Sequence, residues 1–325
     1  MAIVLDAMGG DHAPEEVVQG AKAAAQNGLK IYLTGPEETL REFVGETSGI
    51  EIIDAPEIVS MSESPAEVLR KKPSSSIVVG VKLAKEKGIP FVSAGNTGAC
   101  MASALFGFGR LPGIKRPPIA SLFPQITGGS TTILDVGANV DCSSQNLLHF
   151  AIMGCAYSKA VCGVENPSVG LLSNGEEDEK GNALVLETHQ LLKESGLNFI
   201  GNVEGFDVLS GKCDVIVCDG FVGNILLKTT EGVATALLKL AKSALPESGD
   251  LSPDLMQVLG KLNKYNPKSQ EHTGAPLLGI QGICYIVHGS ANAKTIEGAC
   301  LNAQKVGQSG LVELIASELQ ERKGK

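Results

Sequence analysis

Short apolar runs rich in Val and Ile alternate with longer stretches rich in Ala, Leu, Lys and Glu along most of this 325-residue chain. The apolar runs are nearly continuous, which is typical of strands that are buried on both faces of a parallel sheet. This alternation favours an α/β fold with three layers, α/β/α, around a mostly parallel sheet. The predicted strands are Ile3–Leu5, Ile31–Leu33, Ile50–Ile53, Ile89–Val92, Ile119–Phe123, Thr131–Asp135, Val169–Leu172, Phe199–Ile200, Val215–Val217 and Ile283–Val287.

The stretches between the strands carry the start and stop signals of helices. Ala13–Asn27 begins with Pro14 and two glutamates, which are favoured in a first turn, and is followed by Gly28. We expect a single α/β catalytic domain over residues 1–325, with a helical excursion around 246–276, where four prolines accompany little strand signal. The predicted helices are Ala13–Asn27, Ser74–Lys87, Gln145–Cys162, Asp178–Ser195, Phe221–Leu245 and Ala291–Val306.

The charge balance argues against a nucleic-acid-binding protein. The chain has 27 Lys and Arg against 36 Asp and Glu, a formal net charge of −9, and it contains no Trp and only 4% aromatic residues. A nucleic-acid binder needs a basic surface and usually stacking aromatic side chains. We therefore expect no nucleic-acid partner.

Cysteine and histidine usage argues against a metal site and for a reducing compartment. None of the eight cysteines forms a C-x-x-C pair, and the five histidines lack the spacing of a zinc site. Most of the cysteines lie in apolar stretches, so we expect free thiols and a cytoplasmic protein. The first residues lack the basic segment of a signal peptide, and no apolar run reaches the ~18 residues of a membrane span.

Glycine and small polar residues follow seven of the predicted strands, where ligands bind in α/β folds. Ser93–Ala99 is the strongest anion site, because free N–H groups and the dipole at a helix N-terminus favour phosphate. Ser93, Asn96, Thr97 and Gly98 are therefore candidate phosphate ligands. The alternative is an ordinary N-cap by Ser93 or Thr97.

Acidic side chains also follow several strands. Asp6, Asp11 and His12 surround a Gly-Gly pair and have the chemistry to move protons. Alternatively, the aspartates cap the turn and His12 is a polar surface residue; the sequence favours neither alternative. Asp135 and Asp219 end buried strands, where an acid either caps the next helix or contacts a ligand.

Two lysines lie beside these loops. Lys180 lies between Asn174 and Asn182, which favours a substrate contact over the simple solvation that is usual for lysine. Lys228 lies further along a predicted helix and is the weaker candidate.

Familiar nucleotide and nucleophile motifs are absent from the sequence. There is no G-x-x-x-x-G-K-[ST] and no G-x-S-x-G, so neither a P-loop nor a nucleophile elbow is predicted. Gly107–Gly113 begins as G-x-G, but its third glycine has the wrong spacing and it follows a helical stretch. It is therefore not a dinucleotide-binding fingerprint.

A separate amphipathic helix is predicted from Ser252. Ser252 suits the N-cap and Pro253 the first helical position. The apolar residues that follow have helical spacing, and Lys261, Lys264 and Lys268 add positive charge. This helix packs on the core or on a partner subunit, or alternatively lies on anionic lipid; the first is favoured. Its apolar face consists of Leu255, Val258, Leu259 and Leu262.

The loops together resemble, in order along the chain, the motifs of the PlsX family of phosphate acyltransferases. One such motif is a weak signal, but the ordered set covers almost the whole chain and is specific. Position 173 is Ser where some relatives carry Ile or Val, which is a minor departure. The matching stretches are Asp6–Asp11, Ser93–Ala99, Asp135–Asn139, Leu172–Glu177, Lys180–Asn182, Gly201–Gly205, Cys218–Asn224, Leu227–Thr229 and Gly274–Gly279.

The resemblance implies an enzyme that transfers a long-chain fatty acyl group from acyl carrier protein to inorganic phosphate, giving acyl phosphate for phospholipid synthesis. It implies a fold similar to phosphotransacetylase and the isocitrate dehydrogenase-like group, a homodimer, peripheral membrane contact, and a downstream glycerol-3-phosphate acyltransferase that consumes the product. Because phosphate is the nucleophile, neither a Ser or Cys nucleophile nor a metal or cofactor is required.

Three other functions compete with this one. A phosphotransacetylase-like enzyme using short-chain acyl-CoA is the nearest alternative. A dehydrogenase of the same broad fold would need a dinucleotide fingerprint and, for the decarboxylating kind, an acidic metal cluster. A non-catalytic scaffold that binds lipid or carrier would leave the loops at the strand ends without a reason to cluster.

We assign hypothetical roles to the candidates on this basis. Proton handling or orientation is assigned to the acids and the histidine, and the acyl-phosphate or oxyanion region to amide and lysine side chains. The catalytic candidates are Asp6, Asp11, His12, Asn139, Lys180, Asp219 and Asn224, and the substrate-binding candidates are Ser93, Asn96, Thr97, Gly98, Asn174 and Asn182.

An acidic carrier protein needs a basic docking surface on this acidic chain. Arg110, Lys115 and Arg116 form one candidate cluster, and a solvated loop is the equally supported alternative.

Overall fold

The computed structural model describes residues 1–243, 252–265 and 273–323. Within these ranges the apolar runs form strands and most of the intervening segments form helices, as predicted. The strands are β1 Ala2–Asp6, β2 Lys30–Gly35, β3 Ile50–Asp54, β4 Phe91–Ser93, β5 Ser121–Pro124, β6 Ser130–Leu134, β7 Ser168–Leu172, β8 Asn198–Val203, β9 Val215–Val217, β10 Ala275–Leu277 and β11 Cys284–Ile286. The helices are α1 Glu15–Gln26, α2 Glu37–Val44, α3 Pro65–Lys71, α4 Ser76–Lys87, α5 Thr97–Gly107, α6 Ser144–Cys162, α7 Ala183–Glu194, α8 Gly220–Ser243, α9 Pro253–Asn263, α10 Ala293–Gln308 and α11 Leu311–Lys323.

The strands form two sheets. The six-stranded sheet has the order β10-β11-β4-β1-β2-β3 and is parallel except for the pair β10–β11. The five-stranded sheet has the order β5-β6-β9-β7-β8 and is parallel except for the pair β5–β6. The predicted α/β class with mostly parallel strands is confirmed, but the expectation of one sheet is wrong. The antiparallel edge strands β5 and β10 end the two sheets, and an isolated bridge between Ile119 and Leu277 links them.

Helices cover both faces of the six-stranded sheet. On β1, Ile3 and Leu5 belong to an apolar cluster that also contains residues of α1 and α10, whereas Val4 belongs to a second cluster with residues of α4. Successive strand residues point to opposite faces, so both faces of β1 are buried, which explains its continuous apolar sequence. The first cluster also contains Val169 and Val215 of the five-stranded sheet.

The structure corrects several predicted boundaries. The helix expected from Asp178 begins at Ala183, because the Asn182 side chain caps it. Strand β10 and helices α2, α3 and α11 were not predicted. The excursion around 246–276 contains α9, as expected, and also the start of β10. Its residues 246–251 and 266–272, which include Lys268, lie outside the described ranges, as does the end of the predicted helix at residues 244–245.

Candidate active site

A buried hydrogen bond joins the loops that follow β1 and β4. Ser93 Oγ donates to Asp6 Oδ2 at 2.6 Å, and the Met8 amide donates to Asp6 Oδ1 at 3.1 Å. Burial raises the pKa of the Asp6 carboxyl above its ordinary value, because the charged form loses its hydration, and the bond from Ser93 opposes this effect. Asp6 therefore retains a proton to higher pH than an exposed aspartate.

Glycine allows the same two loops to approach closely. A Cβ atom on Gly9 would lie 2.5 Å from the amide nitrogen of Gly95 and 2.6 Å from Asp6 Oδ2, so no larger residue fits there. The loop after β11 joins this contact, because the Asp11 amide donates to the carbonyl of Gly289 at 2.7 Å. Three strand ends of the six-stranded sheet thus meet at one place, which we call the first cluster (residues 6–12, 93–98 and 288–290).

Asn96 is occupied by structural hydrogen bonds. Its Oδ1 accepts from the Ala99 amide at 2.9 Å, which makes it the N-cap of α5. Its Nδ2 donates to the carbonyls of Met61, at 2.9 Å, and Glu63, at 3.0 Å. The helix is therefore capped by Asn96 rather than by Ser93 or Thr97.

The first turn of α5 keeps two amides for an incoming group. Within the described residues, the backbone N–H groups of Thr97 and Gly98 donate no hydrogen bond. Thr97 is exposed and Gly98 is half-buried against Pro65, where a Cβ atom on the glycine would lie 2.5 Å from the proline ring. These amides, rather than the Asn96 side chain, have the geometry to hold an anion.

Asp11 and His12 are both exposed, next to a surface cavity of about 450 Å³. His12 and Ser290 line this cavity, and the Ser290 hydroxyl lies 3.0 Å from His288 Nδ1. The remaining lining residues are Ala13, Pro14, Glu15, Glu16, Phe43 and Asn292.

Asp135, at the end of β6, is held by its own turn. Its carboxylate accepts from the amides of Ile119, Gly137, Ala138 and Asn139, at 2.6 to 3.1 Å. It also accepts from Asn139 Nδ2 at 2.8 Å. Burial raises the pKa of Asp135, and these hydrogen bonds oppose the rise.

The start of α8 packs onto this turn. The Gly220 amide donates to the Asn139 carbonyl at 2.8 Å, and a Cβ atom on Gly223 would lie 1.9 Å from the Asp135 carbonyl oxygen. Asp219 caps the helix, since its Oδ1 accepts from the first two amides that follow the helix start, each at 2.9 Å. Asn224 is exposed beside Gly137.

The predicted substrate roles of Asn139 and Asn182 meet competing structural roles. Besides its bond to Asp135, Asn139 Nδ2 donates to the Pro117 carbonyl at 2.9 Å. Asn182 Oδ1 accepts from the Val185 amide at 3.0 Å as the N-cap of α7. Asn174 and Lys180 are exposed on the same loop as Asn182, with the stem of Lys180 against Gly175.

Two residues that sequence reasoning missed hold this loop. Asn202, in β8, donates from Nδ2 to the Glu177 carbonyl at 2.8 Å, and its Oδ1 lies 2.9 Å from Nδ1 of the fully buried His189. His189 Nε2 lies 3.3 Å from Asp178 Oδ1. Asn202 falls inside the motif Gly201–Gly205, which was the available signal, whereas nothing in the sequence pairs it with His189.

The candidates therefore form two clusters, one at each sheet. The second cluster contains residues 135–139, 173–182 and 219–224. Within the described part of the chain, no hydrogen bond joins a candidate of the first cluster to one of the second. The same part of the chain contains no group of three His, Cys, Asp or Glu side chains that could hold a metal ion. Of the helices described, none is long and apolar enough to cross a membrane.

Comparisons with known proteins show which family the chain resembles over nearly its whole length. A family model described as "Fatty acid synthesis protein" matches residues 1–314. A phosphate acyltransferase of Halothermothrix orenii is 47% identical over 98% of each chain, and one of Pelotomaculum thermopropionicum is 45% identical over 98% of this chain and 95% of its own.

Solved structures share the fold at low sequence identity. A phosphotransacetylase from Streptococcus pyogenes has a TM-score of 0.60 at 18% identity over 94% of each chain. The EutD phosphotransacetylase from Staphylococcus aureus has a TM-score of 0.59 at 17% identity, over 95% of this chain and 94% of its own.

The α/β fold and the relatives that match nearly the full length define the chain as an acyltransferase. It belongs to the PlsX family of phosphate acyltransferases, the family whose loop motifs it resembles.

Proposed function

We propose that the enzyme transfers a long-chain fatty acyl group from acyl carrier protein to inorganic phosphate, releasing acyl phosphate and the free carrier thiol. The observation that carries this proposal is the likeness, over nearly the whole chain, to relatives named phosphate acyltransferase. The acyl phosphate would then serve a downstream glycerol-3-phosphate acyltransferase in phospholipid synthesis.

The first cluster supports phosphate as the acceptor. The amides of Thr97 and Gly98 lie at the positive end of α5 and are available to an anion. Phosphate oxygen then attacks the thioester carbonyl, the C–S bond breaks, and the sulfur leaves as the carrier thiolate, which takes up a proton. Holding the two reactants together supplies much of the rate enhancement.

The cysteines support direct attack by phosphate rather than a thiol intermediate. All eight are free, and Cys100, whose Sγ lies 3.2 Å from Ser93 Oγ of the predicted phosphate loop (residues 93–98, the anion loop), is fully buried. Burial raises the pKa of Cys100 to about 12, so its thiolate is scarce at neutral pH. The free thiols also support a cytoplasmic location.

Asp6 and Ser93 are the strongest proton-handling pair. Their 2.6 Å hydrogen bond is buried beside the anion loop, and Asp6 has a raised pKa. When the Asp6 carboxyl carries a proton it can donate to Ser93 Oγ, which frees the serine O–H to donate to an attacking phosphate or to the leaving sulfur. Asp11 and His12, which are exposed on the adjacent loop, are the second choice.

The deciding assay follows release of carrier thiol from palmitoyl-carrier protein with and without phosphate. Phosphate-dependent release with formation of acyl phosphate is expected. Release without phosphate, or no release, overturns the proposal. Equal turnover of acetyl-CoA supports a phosphotransacetylase-like enzyme instead.

An exposed apolar stripe on α8 supports the proposed homodimer. Six large apolar side chains of this helix are exposed, and five of them are spaced by three, four or eight residues, so these five share one face. Contiguous exposed apolar surface of this kind marks association sites. The stripe consists of Val222, Ile225, Val233, Leu237 and Leu240.

We also propose that residues 1–325 form one catalytic domain, since one apolar cluster contains residues of both sheets.

Helix α9 is the proposed peripheral membrane contact. It packs against α8, and its predicted apolar face is divided: Leu255, Leu259 and Leu262 are half-buried, whereas Val258 is exposed together with Met256. Val258→Glu should release the protein from anionic liposomes and leave activity in solution unchanged. Leu259→Glu on the half-buried face is the matched variant. Loss of the dimer in both variants, without an effect on liposome binding, supports packing on a partner subunit instead.

A further inference from the structure

The loop between α5 and β5 displays three cationic side chains on its surface. We call residues 110–116 the basic loop; Arg110, Lys115 and Arg116 are all exposed. Within the described residues none of the three takes part in an ion pair, whereas seven lysines elsewhere do. On a chain with a net charge of −9, this is a concentration of uncompensated positive charge.

Buried apolar side chains and two hydrogen bonds hold the basic loop in place. Leu111 and Ile114 are buried, at 5% and 4% exposure, so the apolar residues fix the loop while the cations project from it. The Leu111 amide donates to the Gly279 carbonyl at 2.9 Å, and Gln281 Nε2 donates to the Arg110 carbonyl at 2.9 Å. The positions of the charges are therefore set in advance, which lowers the entropy cost of binding a partner.

The loop leads directly into the second cluster. The carbonyl of Pro117, the next residue, accepts from Asn139 Nδ2 at 2.9 Å, and the Ile119 amide donates to Asp135 at 3.0 Å. Burial raises the pKa of the Cys142 thiol, just beyond the same turn, and the positive charge of Arg116 opposes this rise. A protein held on the basic loop is thus placed beside the strand-end loops.

We propose that the basic loop is the docking surface for an acidic carrier protein that delivers the acyl thioester. This inference rests on the proposed function, which requires such a carrier as the acyl donor. Positive charge steers an acidic protein to this face and fixes its orientation, whereas the rest of the surface repels it. Phe106, 79% exposed near the end of α5, adds an apolar contact beside the charges.

The test is charge reversal with a matched control. Lys115→Glu/Arg116→Glu is compared with Lys82→Glu/Lys305→Glu, which makes the same change in net charge at two exposed lysines on α4 and α10. Binding of labelled holo-carrier is measured by fluorescence anisotropy at two salt concentrations, and thermal unfolding checks the fold. The first variant should weaken binding by about tenfold or more and lose the salt dependence, whereas the control stays within about twofold of wild type.

A second measurement separates docking from chemistry. With palmitoyl-pantetheine as a carrier-free donor, the first variant should keep the wild-type rate of phosphate-dependent turnover, while its KM for palmitoyl-carrier protein rises. Equal weakening in both charge-reversal variants, or unchanged binding in the first, overturns the docking proposal. If the wild-type enzyme neither binds nor uses the carrier, the proposed function itself fails.

Discussion

Asp6 and Asp135 are both buried aspartates at the carboxyl ends of parallel strands, yet their surroundings differ. Within the described residues, the Asp135 carboxylate accepts five hydrogen bonds, four of them from the turn that follows it. Asp6 accepts from the Met8 amide and from Ser93 on a different strand, and the Ser76 side chain also stabilises its charged form. Burial raises the pKa of both.

We propose that this difference separates a structural aspartate, Asp135, from one with a chemical role, Asp6. Asp135 fixes the turn of residues 135–139, on which the start of α8 packs, so its hydrogen-bonding capacity is already used. Asp6 has fewer donors to compensate its burial and shares its bond with a hydroxyl beside the anion loop. The second arrangement leaves more freedom for a proton to move.

The largest effect is expected for Asp135→Ala. Several buried donors lose their acceptor at ~1–3 kcal/mol each, so the free energy of unfolding should fall by at least ~3 kcal/mol. Urea unfolding followed by circular dichroism measures this. Asp141→Ala, at an exposed aspartate two residues past Asn139, is the control and should have little effect. A small loss for Asp135→Ala would contradict the structural role.

Asp6→Asn should instead affect activity. We expect kcat to fall by roughly 100-fold, as for loss of a proton-transfer group, without a loss of stability at neutral pH. Steady-state kinetics with palmitoyl-carrier protein measures the rate. An unchanged kcat would make Asp6 a structural residue like Asp135. Asp11→Asn, on the exposed neighbour, should cause the smaller loss.

Gly223→Ala tests how tightly α8 is seated on the second cluster. Because the added Cβ meets the Asp135 carbonyl, we expect a loss of ~1–3 kcal/mol in unfolding free energy. Gly232→Ala on the same helix is the matched control, since a Cβ atom there meets nothing within 4 Å. The control should gain ~0.5–1 kcal/mol from the better helix propensity of alanine. Opposite signs are expected, and equal losses would argue against the contact.

The smallest effect is a pH dependence that belongs to Asp6. Because its folded-state pKa is raised, the folded chain binds the proton more tightly than the unfolded chain, so stability falls as pH rises from about 3.9 to the folded-state pKa. A tenfold difference in proton affinity between the two states corresponds to ~1.4 kcal/mol of stability. Asp6→Asn cannot titrate, so its stability relative to wild type should increase across that range. Parallel curves of unfolding free energy against pH would contradict the raised pKa.

The strands were predictable because burial on both faces requires a continuous apolar run in the sequence, as in Ile3–Leu5. Their division between two sheets was not, because it depends on pairings between residues far apart in sequence, such as Ile119 with Leu277. Strand β10 was missed because it is three residues long and contains Pro276. A short edge strand of this kind has no periodicity to detect.

The candidate site was predictable in place but only partly in role. Polar residues at strand ends predicted loops that the structure brings together in two clusters, yet Asn96, Asn182 and Asp219 turn out to cap helices. The same side chains cap helices and bind anions, so only their hydrogen-bond partners separate the two roles. The amides of α5 that we propose to bind phosphate are backbone groups, which no residue type marks.

The order of strands has a consequence for synthesis on the ribosome. The five-stranded sheet is continuous in sequence, from Ser121 to Val217, and can assemble as soon as that segment emerges. The six-stranded sheet lacks β11, one of the two neighbours of β4, until Cys284–Ile286 have been added. The carbonyl of Gly289, which accepts a hydrogen bond from the Asp11 amide, follows still later. Because a chain begins to fold as it emerges, the first cluster, which we expect to hold phosphate, is completed after the five-stranded sheet. A nascent chain on this order of assembly gains its chemistry only after Gly289 has been added.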